Sequence, residues 1–171
     1  DGKQVDIRND YEMDRTTGFE LENEQGNLDI LMENMGRVNY GPEIELQKKG
    51  ITHGVLVNGT FHMGWDMYPL PLEDISKVDF ARDYEEGMPA FYKFTFDARE
   101  TGDTFLDVTG FGKGCVFVNG KNIGRFWEAG PQRRLYIPGP LLREGTNEII
   151  LFEPDGKAVE TICLMDTPDL G

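Results

Sequence analysis

The chain has 171 residues, of which 31 are Asp or Glu and 17 are Lys or Arg, giving a formal net charge of −14 at pH 7. That balance argues against a nucleic-acid partner, because binding phosphates takes a surplus of Lys and Arg gathered on one surface. No apolar run approaches the roughly 18 residues that a membrane-spanning helix needs, so no membrane partner is predicted either.

The chain opens on Asp1-Gly2-Lys3, without a methionine or a leader pattern, and reads as an internal start. Two short matches tie this region to the far end. Asp1-Gly2-Lys3 echoes Asn119-Gly120-Lys121, and residues 26–33 echo residues 145–153 at nearly the same sequence offset. These matches predict a repeated β unit, with residues 1–40 as the back portion of a first, truncated β-sandwich. Such a half sandwich leaves open strand edges and invites self-association of the fragment.

Residues 41–88 read as connecting strands and an acidic linker. Short strands are predicted at 44–46 and 51–57, with Asn58-Gly59 as a hairpin turn. Residues 65–72 alternate large apolar side chains with others, and Pro69 and Pro71 suit an edge strand. Residues 73–88 are acidic and weakly amphipathic, a linker with one or two helical turns.

From Pro89 the pattern is strongly β: strands at 90–97, 104–108 and 115–118, then Asn119-Gly120 as a second hairpin turn. Further strands are predicted at 121–127, 134–137, 148–153 and 158–165. Cys115, Val116, Phe117 and Val118 are all apolar, so this strand is predicted to be buried on both faces. Pro138 to Gly145 offers proline near a start and glycine past an end, one short helical turn. Short strands between Gly and Pro turns make an all-β jelly-roll β-sandwich of residues 89–171, completed by strands from 44–72.

Little here carries chemistry. Gly110-Phe111-Gly112-Lys113-Gly114 resembles a phosphate loop only superficially, because a strand comes after it where an anion site needs a helix N-terminus. His53 and His62 lack metal-ligand spacing, and no metal or other cofactor is predicted. Ser76 lies outside any nucleophile elbow. The acidic residues are too many for any pair to be singled out as a glycosidase site, so no catalytic residue is assigned. Cys115 and Cys163 lie in apolar strands and read as buried free thiols rather than a disulfide framework. Asn58-Gly59-Thr60 is an N-x-T sequon that its turn explains equally well. Aromatic side chains are the best lead to a ligand. Tyr40 lies in a loop after Arg37, Trp127 ends a strand before Gly130-Pro131, and a ring face can stack on the C–H surface of a sugar. Packing is the competing reading for Trp65, Phe126 and Trp127.

The run from Leu28 to Gly41, L-D-I-L-M-E-N-M-G-R-V-N-Y-G, resembles a segment of family 35 glycoside hydrolases, the β-galactosidases. Pro89-Ala90-Phe91-Tyr92-Lys93, Asp103-Thr104-Phe105, Gly112-Lys113-Gly114, Val118-Asn119-Gly120 and Asn122-Ile123-Gly124-Arg125-Phe126-Trp127 resemble the last β domain of that family, as do Gly130-Pro131-Gln132 and Asn147-Glu148-Ile149-Ile150. The likeness implies galactose-binding-like jelly rolls that come after a catalytic barrel, without the two catalytic glutamates. It implies a non-catalytic accessory region whose partners are the barrel of the parent chain and a galactoside substrate. It also implies that Tyr40 reaches the substrate pocket of the parent enzyme. The alternative is an autonomous galactoside-binding module, with Trp127 or Trp65 as its stacking platform.

Overall fold

The computed structural model describes residues 5–8, 18, 20–21, 25–34, 36, 39–42, 44–130 and 132–171. By contact density the chain divides into two compact units, residues 23–72 with Asp1, and residues 73–171 with residues 2–22.

Among its described residues the first unit carries little regular structure. A 3-10 turn, Ile44–Leu46, is succeeded by strand β1 (Val55–Val57) and strand β2 (Thr60–His62). The two strands pair antiparallel, with Val55 opposite His62, Leu56 opposite Phe61 and Val57 opposite Thr60. Asn58 (φ 49°) and Gly59 (φ 77°) form the connection, the two consecutive positive φ values that a type I′ turn requires. The indole Nε1 of Trp65 donates to the backbone oxygen of His62 at 3.0 Å, holding the next segment to the hairpin.

Several expectations differ here. Residues 44–46 coil into a turn, and residues 26–33 and 65–72 form no strand. Among the described residues these segments find no partner strand, and a strand without a ladder leaves its N–H and C=O groups to water. Pro69 and Pro71 remove two donors besides. Strands β1 and β2 both lie within residues 44–72, the stretch expected to complete the jelly roll. The only ladder among the described residues of that stretch joins β1 to β2 in a sheet of their own.

The second unit is a sandwich. Its strands are β3 (Ala90–Ala98), β4 (Thr104–Asp107), β5 (Lys113–Val118), β6 (Lys121–Trp127), β7 (Arg134–Ile137), β8 (Gly145–Glu153) and β9 (Cys163–Met165). They form a four-stranded sheet in the order β3-β8-β5-β6 and a three-stranded sheet in the order β7-β4-β9. All pairings are antiparallel. The fold is all-β, with no α-helix among the described residues, and the 3-10 turn Gly139–Leu141 stands where Pro138 to Gly145 predicts a helical turn.

Between the sheets lie Leu106, Val108, Phe111, Val116, Val118, Phe126, Leu135, Ile137, Ile149 and Leu151. Each contributes about 1.5–3 kcal/mol of burial, set against the entropy of ordering it. At Gly114 the backbone of β8 passes so close that a Cβ would stand 1.8 Å from the carbonyl oxygen of Phe152. Only glycine fits there.

Residues alternate between faces along a strand, so Ile150 and Phe117 lie on the outer face of the four-stranded sheet. Both are buried, as β5 reads in the sequence. One residue of the acidic stretch 73–88, Phe80, comes up on this side, and the stretch holds a short turn. Asp74 caps the 3-10 turn Ile75–Lys77 by accepting from Ser76 N, and Ile75 is buried. The Nζ of Lys93, opposite Ile150 on the outer face, stands 5.3 Å from the centroid of the Phe80 ring. Cys115 is buried as predicted, but Cys163 is exposed because β9 is an edge strand that presents it to solvent.

The second Asn-Gly turn is used differently from the first. Asn119 (φ 47°) again supplies the positive φ, but its side chain also works inward. Its Nδ2 donates to Leu141 O and Asn147 Oδ1, each at 2.8 Å, and its Oδ1 accepts from Glu148 N at 3.0 Å. Asn147, fully buried, donates in turn to Arg143 O and Gly145 O and accepts from Arg143 N. Glycine keeps the turn but deletes these bonds. We predict that Asn119→Gly lowers stability by about 1–3 kcal/mol. Asn58→Gly, which retains all that Asn58 supplies, changes it by less than about 0.5 kcal/mol. Urea unfolding monitored by circular dichroism checks this, and equal losses for the two variants contradict it.

Candidate ligand-binding surfaces

Tyr40 is 91% exposed in the first unit, beside Asn39. Its ring is presented outward, as a stacking group requires. Arg37 lies outside the described residues. Nearby in sequence, Asn34 Oδ1 accepts from Gly36 N at 3.0 Å. An open depression of about 400 Å³ is lined by Asn34, Gln47, Lys48, Lys49, Ile51 and Thr52. Tyr40 is not among its walls.

Trp127, 36% exposed, ends edge strand β6 opposite Lys113 of β5. Its neighbour Phe126 points into the core and is buried, so the alternation of the strand turns the indole outward. The loop after Trp127 is held firmly. Glu128 N donates to Gly112 O at 2.6 Å, Gly130 N donates to Trp127 O at 2.9 Å, and the Glu128 carboxylate pairs with Lys157 Nζ.

The base of this corner is a buried carboxylate that the sequence does not single out. Glu153, the last residue of β8, is fully buried. Its Oε1 accepts from Gly112 N at 3.3 Å and its Oε2 from Lys157 N at 2.8 Å. A Cβ at Gly112 would stand 2.8 Å from Asp155 Oδ2 and 2.9 Å from that Oε1, so a larger residue there would push both carboxylates aside. Asp155 pairs with Lys113 Nζ at 3.3 Å alongside. Tyr84 and Tyr92 donate their hydroxyls to Gly156 O and Lys157 O. Burial pushes the Tyr92 phenol up to about 12, with the Tyr84 neighbour adding to it, so the donor keeps its proton. The glycines of 110–114 thus admit a carboxylate and a crossing strand, not a phosphate.

The remaining candidates do not converge. His53 Nδ1 is 2.9 Å from Thr52 Oγ1, and the His62 ring meets Trp65 edge to face with centroids 6.4 Å apart. Trp65 is 38% exposed and tethered to the hairpin. Ser76 bonds Asp74 through both its backbone N–H and its hydroxyl. Among the described residues no group of three or more His, Cys, Asp or Glu is placed to share a metal ion. A second depression of about 290 Å³ opens at one end of the sandwich, between Phe96, Asp103, Thr104, Leu142 and Leu164. The backbone N–H of Gly139, at 2.8 Å, and then the Tyr136 hydroxyl hold the Asp103 carboxyl below its usual range. Spacing gave no sign of this pocket, because its walls come from three separate stretches of chain, 96–104, Leu142 and Leu164.

Glu153 gives the second unit a pH dependence. Burial, with the charge of Asp155 adding to it, holds its carboxyl above the ordinary 4.5 despite the backbone donors. A carboxyl raised by folding contributes fully below its unfolded value and loses that contribution as pH rises through the raised one. We predict that Glu153→Gln flattens the fall in melting temperature as the pH rises above about 4.5. A parent and variant with parallel curves over that range contradict it.

Comparison with known proteins gives these surfaces a family context. The family model described as "Beta-galactosidase, first all-beta domain" matches residues 1–71, and "Beta-galactosidase, galactose-binding domain" matches residues 89–147. Beta-galactosidase 1 of Dictyostelium discoideum is 47% identical over 137 residues, covering 74% of this chain and 20% of that protein. Beta-galactosidase-1-like protein 2 of Homo sapiens is 38% identical over 151 residues, covering 84% of this chain and 24% of that protein. Beta-galactosidase of Xanthomonas manihotis is 37% identical over 113 residues, covering 66% and 19%. The chain therefore spans about a fifth to a quarter of the length of these relatives, and what it matches in them is accessory, non-catalytic β structure. It belongs to the accessory β domains of family 35 β-galactosidases.

Proposed function

We propose that the chain is the accessory region of a retaining exo-β-galactosidase acting on terminal β-galactosides, where it buttresses a catalytic barrel and helps to shape the substrate pocket. The observation that carries this reading is the pair of matches, residues 1–71 and 89–147, to two successive accessory domains of one enzyme family. In this reading residues 23–72 belong to the first β domain, and the sandwich of residues 73–171 is the galactose-binding-like domain. The catalytic carboxylates belong to the barrel, since glycoside hydrolysis needs two held across one bond.

Tyr40 is the residue this chain lends to the pocket. It is large, aromatic and 91% exposed, and an exposed tyrosine offers a ring to stack and a hydroxyl to donate. The sandwich supplies rigidity, because its core residues lie mostly in strands rather than loops. A second reading, an autonomous galactoside-binding module, is favoured by the outward indole of Trp127 on its braced corner.

We predict that the isolated chain does not hydrolyse a chromogenic β-galactoside, and that calorimetry with galactose or lactose gives no heat at millimolar sugar. Binding that Trp127→Ala abolishes selects the module instead. In the full-length parent, Tyr40→Ala is predicted to lower kcat/KM by roughly tenfold to a hundredfold, about 1–3 kcal/mol for one lost stacking or hydrogen-bonding contact. Wild-type kcat/KM in that variant contradicts the role given to Tyr40.

A further inference from the structure

The sequence holds two Asn-Gly pairs, Asn58-Gly59 and Asn119-Gly120, and both sit in two-residue turns between antiparallel strands. Their backbones are nearly the same: φ is 49° and 77° in the first pair, 47° and 79° in the second. In such a turn the ladder bonds go to the flanking residues, so the ladder does not use the N–H of the central glycine. A Cβ added at either glycine would meet nothing within 4 Å, so the space beside each turn is open. Lacking that Cβ, the glycine nitrogen can be approached by the side chain before it. The two asparagine side chains, in contrast, are held differently. Asn119 is half-buried, and its amide is bonded to Leu141 O, Asn147 Oδ1 and Glu148 N. Its Cγ cannot swing toward Gly120 without breaking all three bonds. Asn58 is exposed, at the tip of a hairpin whose strands have three residues each. A hairpin that short opens readily.

We infer that Asn58 is a site of spontaneous covalent modification, deamidation through a cyclic imide, and that Asn119, in the same dipeptide, is protected by its hydrogen bonds. The backbone nitrogen of Gly59 loses its proton and attacks the side-chain carbonyl carbon of Asn58. A bond forms between that nitrogen and Cγ, the bond from Cγ to Nδ2 breaks, and Nδ2 takes up a proton and leaves as ammonia. Water then opens the imide at either of its two carbonyls. One opening gives aspartate. The other gives isoaspartate, in which the main chain runs through the former side chain and gains one methylene. The net change consumes one water and releases one ammonia, with no oxidant or reductant. Either product adds one negative charge to a chain already at −14. Isoaspartate also lengthens a turn that the opposed pair Val57 and Thr60 closes. The same step consumes the acceptor amide of the sequon Asn58-Gly59-Thr60.

The test is peptide mass spectrometry of the folded 171-residue chain and of the full-length parent, both made in a host that does not glycosylate. Each is aged in warm, mildly alkaline buffer prepared with heavy-oxygen water, which marks the hydrolysis. Conversion of amide to acid is timed at Asn58 and Asn119 in the same sample, and isoaspartate is measured separately from aspartate. Asn58 is expected to convert at least about tenfold faster than Asn119 in folded protein, since the bonded site waits on local opening. Urea is expected to bring the two rates together, because unfolding removes the bonds that separate them. Asn58→Gly is expected to abolish the acidic form that ion exchange resolves in aged protein. Equal rates at the two sites in folded protein overturn the inference. An Asn58 that stays intact while the urea-treated sample converts overturns it as well. Aspartate without isoaspartate also overturns it, because direct hydrolysis by water would then replace the attack by Gly59.

Discussion

The pairing of β5 with β8 is the contact on which the rest of the second unit depends. Val116 faces Leu151 and Val118 faces Ile149 across this ladder, and all four side chains are wholly removed from water. The two strands are the interior pair of the four-stranded sheet, so the backbone along their shared length is paired on both sides. Gly114 permits the close approach at one end of the ladder, and the Asn119–Asn147 network locks the other. Between those two fixed points the register has no freedom to slip, because a shift of one residue would exchange the inner and outer faces.

That rigidity passes outward by covalent continuity. β8 ends in Glu153, whose buried carboxylate ties the turn after it to Gly112 and Lys157. β5 leads through Asn119-Gly120 into β6, which ends in Trp127. A braced corner with an outward aromatic side chain is therefore a direct product of the core ladder. The first unit shows the opposite condition. Its described residues make turns and a hairpin without a fully buried side chain, and many of its large apolar residues face water. Among the described residues, the fully buried core lies in the second unit. This asymmetry fits a region that works by holding and completing another part of an enzyme.

Much of the sandwich was legible in the sequence because local signals and packing agree there. Strands 121–127 and 134–137 match their predicted bounds, and both Asn-Gly pairs make the turns their chemistry requires. The strand at 115–118 reads as doubly buried because it is uniformly apolar, and it is. Failures fall where composition hides a tertiary role. Residues 73–88 read as acidic and weakly amphipathic, and nothing in that pattern singles out Ile75, which is buried, or Phe80, which stands beside Lys93. Ile44, Leu46 and Leu70 have the right side chains for strands, but pairing needs a neighbour that sequence pattern does not supply. Cys163 reads as buried because its strand is apolar, and edge position decides otherwise. Of the candidate site, Tyr40 and Trp127 were legible as aromatic side chains in loops or at strand ends. Glu153 and the pocket beside Asp103 were not, since each is assembled from segments far apart in the chain.

The accessory role is tested most directly by deletion. Thermal unfolding and β-galactoside hydrolysis are measured for the full-length parent and for a form that lacks residues 1–171 of this chain. The accessory reading predicts that the shortened protein melts at a markedly lower temperature and loses kcat/KM even below its melting range, because both the support and Tyr40 are gone. A shortened protein with unchanged melting temperature and unchanged kcat/KM contradicts it.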